Sequence, residues 1–338
     1  MTSHGEDDIS RGGRGGVDCV IGVDLGGTKT AAAVVDAAGT VGPVRTVATP
    51  AHDGPEVILD TVAALVTAVG RDAAARAEAD GRPAPTVRAV GIGTAGVVDV
   101  TAGTIVSATD ALTGWPGTDV AGGIRRRLAP ELGELPVFVE NDVDAHAAGE
   151  AWLGAAAGSP SALVVAVGTG VGGSVVLGGH ALRGAHHVAG EMGHVPTPGA
   201  EGLRCPCGRL GHLEALGSGP ALHRRYLALG GDTASPDTRD VVARAAAGDA
   251  LAARAVRDSA AAVGRATAGI VTVLDPAVVV VGGGMAGAGP LWWDAMETAL
   301  RAELVDVLAD VPVRPAALGG DAPIVGAARG AWDLLGKH

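Results

Sequence analysis

Ala162-Leu163-Val164-Val165-Ala166-Val167-Gly168-Thr169-Gly170-Val171-Gly172-Gly173-Ser174-Val175-Val176-Leu177 is the stretch that decides the fold. Its glycines fit G-x-G-x-x-G, the pattern of dinucleotide-binding turns, but that arrangement needs a helix directly after the last glycine. Here Ser174 to Leu177 continues as strand until Gly178-Gly179, so a glycine-rich turn joins two strands, Ala162 to Val167 and Ser174 to Leu177. The same plan occurs earlier, where Val17 to Val23 and Ala31 to Asp36 flank Asp24-Leu25-Gly26-Gly27-Thr28-Lys29-Thr30. Two such hairpins predict an internally duplicated α/β chain.

Working outward, Val57, Ile58, Val62, Leu65, Val66 and Val69 recur at helical spacing between Pro55 and about Ala79, and Pro83 and Pro85 end that helix. Val87 to Gly93 reads as a strand, Val97 to Val106 as a hairpin, Val120 to Leu128 as a helix, and Val137 to Val139 as a strand running into Glu140-Asn141-Asp142. A helical stretch from Ala145 to Leu153 follows. Beyond the second hairpin come a Cys/His-bearing loop at 190–214, helices over 218–274, a strand from Val278 to Val281, and helices at about 289–309 and 323–335.

With 338 residues the chain exceeds what one core usually organises, so two lobes are expected. Apolar residues make up 47%, yet only five Trp, one Tyr and one Phe are aromatic, so packing rests on Val, Ala and Leu. A formal net charge of -12 leaves no global basic footprint for nucleic acid. No apolar run reaches the ~20 residues of a membrane helix. Three cysteines, Cys19, Cys205 and Cys207, and no signal-peptide pattern point to the cytoplasm. Residues 1 to 16 are expected to be a disordered leader.

Adjacent glycines at Gly26 and Gly27 let backbone N–H groups approach a phosphate, with Thr28 adding a hydroxyl, Lys29 a positive charge and Asp24 a ligand for Mg²⁺. A plain hairpin turn accounts for the same residues. No Walker motif is present, because Lys29 follows Thr28 rather than a glycine. Gly168, Thr169 and Gly170 form a second candidate phosphate turn, and Gly282-Gly283-Gly284 is either a place for a flat ligand such as adenine or a bare strand-to-helix connection. Asp142, at a strand's C-terminal end, is the candidate general base, and Asn141 a candidate sugar contact; helix capping is the competing explanation. Between Glu191 and Glu214, His194, Cys205, Cys207 and His212 make a closed two-thiolate, two-imidazole set suited to a structural Zn²⁺, with His186 or His187 as alternative imidazoles.

These motifs, in this order, resemble the ROK sugar kinases, which include bacterial glucokinases and N-acetylhexosamine kinases. The resemblance spans about 18–335 and rests on Asp24 to Lys29, Gly91-Ile92-Gly93-Thr94-Ala95-Gly96-Val97-Val98-Asp99, Glu140-Asn141-Asp142, Gly168 to Gly173, Ala189-Gly190-Glu191-Met192-Gly193-His194, Cys205-Pro206-Cys207-Gly208 and Gly282-Gly283-Gly284. It implies a two-lobed, actin-like ATPase (ribonuclease H-like) fold with ATP and sugar meeting in the cleft. The expected small lobe is 17–139, completed by the C-terminal helix at about 323–335, and the large lobe is 140–322. The resemblance implies ATP-dependent phosphorylation of a hexose hydroxyl, with Mg²⁺ and a structural Zn²⁺. Asp142 is then the base; Asn141, Glu191, His194, Glu214 and Gly96 meet the sugar; the turns at 26–27 and 168–173, with Gly283 and Gly284, hold ATP. A homodimer or homotetramer is implied.

Four departures bear on the substrate. His212 stands where the family usually has a third Cys, and Ala95 where it often has Pro. The segment before Trp115 usually offers an Asn to the sugar, whereas this chain reads Asp110-Ala111-Leu112-Thr113-Gly114-Trp115, and Val143-Asp144-Ala145-His146 stands where small residues and Asn are more usual, adding a carboxylate next to the site. An amino sugar, N-acetylhexosamine or cyclitol is therefore the alternative substrate. Two further classes compete. Repressor relatives carry a DNA-binding domain for which about sixteen leading residues leave no room, and a non-catalytic sensor is disfavoured by the presence of Asp142.

Overall fold

Lys29–Asp36 (β2) folds back on Asp18–Leu25 (β1), antiparallel and in register from Cys19 opposite Asp36 to Leu25 opposite Thr30. The structure, a computed structural model, describes residues 16–109 and 111–336; the expected leader lies outside them save for Gly16, as does Asp110. Next come β3 (Arg45–Ala48), α1 (Pro55–Ala79), β4 (Thr86–Thr94), the two-stranded β5 (Val97–Asp99) and β6 (Thr104–Ser107), α2 (Val120–Leu132) and β7 (Val137–Asn141). The first sheet has the order β3-β2-β1-β4-β7, with β1, β4 and β7 mutually parallel. After α3 (Asp142–Trp152) the plan repeats with β8 (Ser161–Val167), β9 (Val171–Leu177), β10 (His180–Ala181), α4 (Glu214–Gly217), α5 (Gly219–Ala228), α6 (Thr238–Ala246), α7 (Ala250–Leu274), β11 (Val278–Gly282), α8 (Pro290–Glu303), β12 (Val313–Pro315) and α9 (Ala322–Leu334). The second sheet, β10-β9-β8-β11-β12, again pairs one antiparallel hairpin with two parallel strands.

Strands covered on both faces read as unbroken apolar runs, which is why β1 and β11 are Val- and Ile-rich. On the outer face of the first sheet α1 and α2 bury Ile58, Val62, Val66, Ile124 and Leu128 around Trp115. The large outer core of the second sheet is built from α5 to α8. Between the sheets lie α9, which packs Ile324, Ala328 and Trp332 against Val20 and Ala89, and α3, whose Ala147 meets Val164 and Val280. These two helices touch backbone to backbone. A Cβ on Gly326 would fall 1.7 Å from the Ala145 carbonyl oxygen, and one on Gly149 2.3 Å from that of Ala322, so only glycine permits the approach.

Some boundaries differ from the expectation. Strand β9 begins at Val171, inside the glycine motif, because Val171 already pairs with Val167. Helix α3 begins at Asp142, three residues early, because Asn141 caps it. The stretch 218–274 divides into α5, α6 and α7, and α8 stops at Glu303 before one 3₁₀ turn over Asp306–Leu308. β3, β10 and β12 are edge strands too short to leave a periodic signal. Among the described residues no helix is long and apolar enough to cross a membrane.

Candidate active site

Where β1 turns into β2, the Gly26 amide donates to the Lys29 carbonyl (3.1 Å), while Gly27, Thr28 and Lys29 stay exposed at the tip. Thr49 braces the turn through Oγ1 to the Gly26 carbonyl (2.7 Å). The Asp24 carboxyl is pushed up to about 6 by burial and then by the charge of Asp142, with Lys29 pulling the other way. Asp24 and Asp142 therefore face one another electrostatically, although 118 positions separate them in the chain.

Asn141 and Asp142 sit where β7 becomes α3. The Asn141 Oδ1 accepts from the Val143 (2.8 Å) and Asp144 (3.2 Å) amides, and its Nδ2 donates to the Gly96 carbonyl (2.9 Å). The capping explanation is thus realised. The Asn141 side chain also hydrogen-bonds the Asp142 carboxyl, fixing it beside the helix start. Gly96 has φ 104, and a Cβ there would lie 2.7 Å from the Ser107 carbonyl oxygen, so the strand-to-hairpin corner that offers its carbonyl requires glycine. Burial raises the Asp142 carboxyl, opposed by the Val143 amide and its own backbone N–H at the start of α3.

From the second sheet, Glu214 at the head of α4 accepts the Val171 amide on Oε2 (2.9 Å), which leaves Oε1 open. The same carboxylate lies against Gly170, where a Cβ would meet Oε2 at 2.7 Å. The Gly168 amide closes the turn on the Gly170 carbonyl (2.9 Å), and the Gly219 amide at the start of α5 donates to the Gly168 carbonyl (2.8 Å). Gly283 has φ 84 and packs directly on Val167, bringing Gly284 to the Gly168 turn. The Glu191 carboxyl is raised by burial first, lowered by His194, and raised again by Asp144, Asp142 and Glu214. Asp142, Asp144, Glu191 and Glu214 thus share one neighbourhood.

His194, Cys205, Cys207 and His212 bring one ligand atom each within 4.8 Å of all the others. Cys205 Sγ lies 3.6 Å from His194 Nδ1, and Cys207 Sγ 3.2 Å from His212 Nδ1. Zn–S bonds of ~2.3 Å and Zn–N bonds of ~2.0 Å place tetrahedral ligands about this far apart, so the donor set fits zinc. With Nδ1 turned to Cys205, His194 Nε2 faces Glu191 Oε2 at 3.8 Å. The alternative imidazoles do not join the group: His186 is absent from it, and His187 lies 3.9 Å from Asp99.

The model of the ROK family matches residues 20–332. The chain belongs to the ROK family. The glucokinase of Streptomyces coelicolor is 33% identical over 329 residues, covering 91% of this chain and 96% of that one. The crystal structure of ROK hexokinase from Thermus thermophilus is 38% identical with a TM-score of 0.76, covering 95% of this chain and all of the other. A ROK family glucokinase from Streptomyces griseus, solved in complex with glucose and AMPPNP, is 32% identical with a TM-score of 0.75 over 92% of this chain and 98% of the other. The fold is the actin-like ATPase fold of ROK sugar kinases, as the motifs led one to expect.

Within this ROK chain the departures find distinct places. Ala111 closes its carbonyl over Gly27, at 3.2 Å from a Cβ built there, so this segment borders the first turn. Asp144, which sequence reasoning treated as an added charge near the site, is 9% exposed and turned inward, accepting from Ser174 Oγ (2.7 Å) and Arg183 (2.5 Å). His146 also points inward. Its Nε2 is buried against Gly282 with no partner among the described residues, and burial lowers its pKa. Sequence reasoning missed Arg183, Ser174 and the Gly219 amide. A lone Arg after a two-residue strand, 43 positions from Glu140, leaves no motif by which to find it.

Proposed function

We propose that this ROK protein transfers the γ-phosphoryl group of ATP to a hydroxyl of a hexose, glucose to glucose 6-phosphate being the first reaction to test. The observation that carries this is the siting of Asp142: a carboxylate with a raised pKa at a helix N-terminus, felt by Asp24 beside the first glycine turn and by Glu191 across from it. A sugar hydroxyl is a weak nucleophile. Asp142 takes its proton as the bond from sugar oxygen to phosphorus forms and the bond to the ADP oxygen breaks. The Asn141 side chain, the Glu191 carboxylate, Oε1 of Glu214, His194 Nε2 and the corner at Gly96 orient the sugar.

Gly27, Thr28 and Lys29 on one side, and Thr169 and Gly170 on the other, donate to the phosphates, Gly26 and Gly168 closing the two turns so that ATP lies against them, with Gly283 and Gly284 against the adenine. Asp24 would hold the Mg²⁺ that accompanies ATP, directly or through water, and the ion would offset charge on the phosphoryl oxygens. His194, Cys205, Cys207 and His212 would hold a structural zinc, which would cross-link the loop that carries Glu191 and Glu214. The small lobe comprises 17–139 with the C-terminal helix and the large lobe 140–322; the enzyme works as a cytoplasmic homodimer or homotetramer.

The test is ADP release with ATP and Mg²⁺ against glucose, mannose, N-acetylglucosamine, N-acetylmannosamine, kanosamine and a valiolone-type cyclitol. Glucose turnover with kcat/KM of ~10⁴ M⁻¹s⁻¹ or more supports the proposal. Preference for another sugar assigns the change to the pocket around Ala111, where an amide is missing, and silence across the panel overturns catalysis in favour of a sensor.

A further inference from the structure

Arg183 follows β10 and is the only cation within hydrogen-bonding reach of either Glu140 or Asp144 among the described residues. Its Nη2 meets Glu140 Oε2 and its Nη1 meets Asp144 Oδ2, each at 2.5 Å. These carboxylates flank the Asn141-Asp142 pair, one residue before it and two after. Glu140 is 1% exposed, and its second oxygen, Oε1, is buried without a partner among the described residues. Asp144 is held on its other side by Ser174 of β9. The next charges outward are on α9, where Asp333 faces Glu140 and is paired with Arg329 (2.8 Å) and with His180 (3.6 Å).

The backbone of Arg183 reaches in the opposite direction. Its carbonyl accepts the Ala189 amide (3.2 Å), two residues before Glu191, while the Leu182 amide beside it is anchored on the Val175 carbonyl (2.7 Å). One residue therefore ties the β7–α3 junction, where the candidate base begins its helix, to the loop that presents Glu191. A planar guanidinium can grip two carboxylates at once with fixed geometry, whereas an ammonium is a point charge that must favour one.

We infer that Arg183 is a positioning residue that sets Asp142 and Glu191 relative to one another, by bridging Glu140 and Asp144 with its side chain and Ala189 with its carbonyl. The inference rests on the assignment of Asp142 and Glu191 to the kinase site. Asp144 then serves the site from within, through its ion pair, and not by contact with the sugar.

Arg183→Lys tests it, because the charge stays while the fork is lost. The expected result is a folded enzyme whose kcat falls on the order of 10-fold and whose KM for the sugar rises several-fold, with KM for ATP unchanged, since the glycine turns and Gly283 are not touched. Amide hydrogen exchange at 141–144 and 185–191 should quicken on the order of 10-fold, a readout available whether or not any sugar is turned over. Wild-type exchange in both segments, or wild-type kcat and sugar KM in the folded variant, overturns the inference. Equal changes in the KM of sugar and ATP do so too, because they indicate general loosening. If the wild-type enzyme is silent on every sugar, the kinase assignment fails, and exchange alone decides whether Arg183 holds the two segments together.

Discussion

The two glycine turns share one backbone plan and differ in the chemistry that surrounds them. The turn at 26–29 projects charged and hydroxyl side chains of its own, Thr28 and Lys29, and stands beside the raised carboxyl of Asp24. The turn at 168–170 has no charged side chain; its surroundings are supplied by other elements, with Glu214 on the Val171 amide, the start of α5 on the Gly168 carbonyl and Gly283 packed on Val167. Duplication therefore reproduced the hairpin and not the site. The first half carries its chemistry in the motif, and the second half assembles its chemistry from contacts.

The comparison breaks hardest at Asp142, the proposed base, whose charge is felt at Asp24 beside the first turn and at Glu191 from the second half. Asp142→Ala should lower kcat by at least ~10²-fold with thermal stability close to wild type, and unchanged turnover of a sugar the enzyme accepts would remove the base assignment. The first turn is next. The Asp24 pKa is about 6 in the folded protein against an ordinary 3.8, so the folded state binds the extra proton, and the stability this gives is full below pH 3.8 and lost as pH rises through 6. Asp24→Asn should therefore be the more stable protein above pH 6, by up to about 3 kcal/mol, while losing activity. Denaturation curves at pH 4 and pH 7.5 check this, and a stability difference that does not grow with pH would refute it.

A paired glycine test sharpens the contrast. Gly283→Ala forces a Cβ into a backbone with φ 84 and to within 2.4 Å of the Val167 carbonyl oxygen, so it should cost about 2 kcal/mol of stability. Gly27→Ala meets only the Ala111 carbonyl at 3.2 Å. Its main effect should be a several-fold rise in KM for ATP with little change in melting temperature, and the reverse pattern would mean that the first turn is structural. Smallest of the four is His212→Ala, expected to lower bound zinc by elemental analysis and to raise the sugar KM a few-fold with the ATP KM unchanged. Wild-type protein purified without zinc would end that prediction.

Glycine spacing and strand composition were sufficient to read the hairpins, because a G-x-G-x-x-G followed by Ser174-Val175-Val176-Leu177 cannot open a helix. The cysteine and histidine pattern was legible as a candidate metal set, but with His186 and His187 as alternatives; the choice of His194 and His212 came from the folded loop, which gathers them with Cys205 and Cys207. Asn141 was legible both as a candidate contact and as a helix cap, but its amide on the Gly96 carbonyl, 45 positions away, was not. Asp144 was legible as a carboxylate next to the site, but its partners were not, because a carboxylate in a sequence has no direction, and here it points at Ser174 and Arg183.

What the sequence determined alone is therefore local: two hairpins, the buried strands, the order of the family's motifs and the set of groups able to do phosphoryl transfer. Periodicity, glycine placement and donor type act over a few residues and survive in one dimension. Tertiary structure decided which carboxylates are offered and which are consumed. That choice depends on partners such as Arg183 at 43 and 39 positions' remove and on the desolvation that raises Asp24 and Glu140, and both arise only once the two sheets close on α3 and α9.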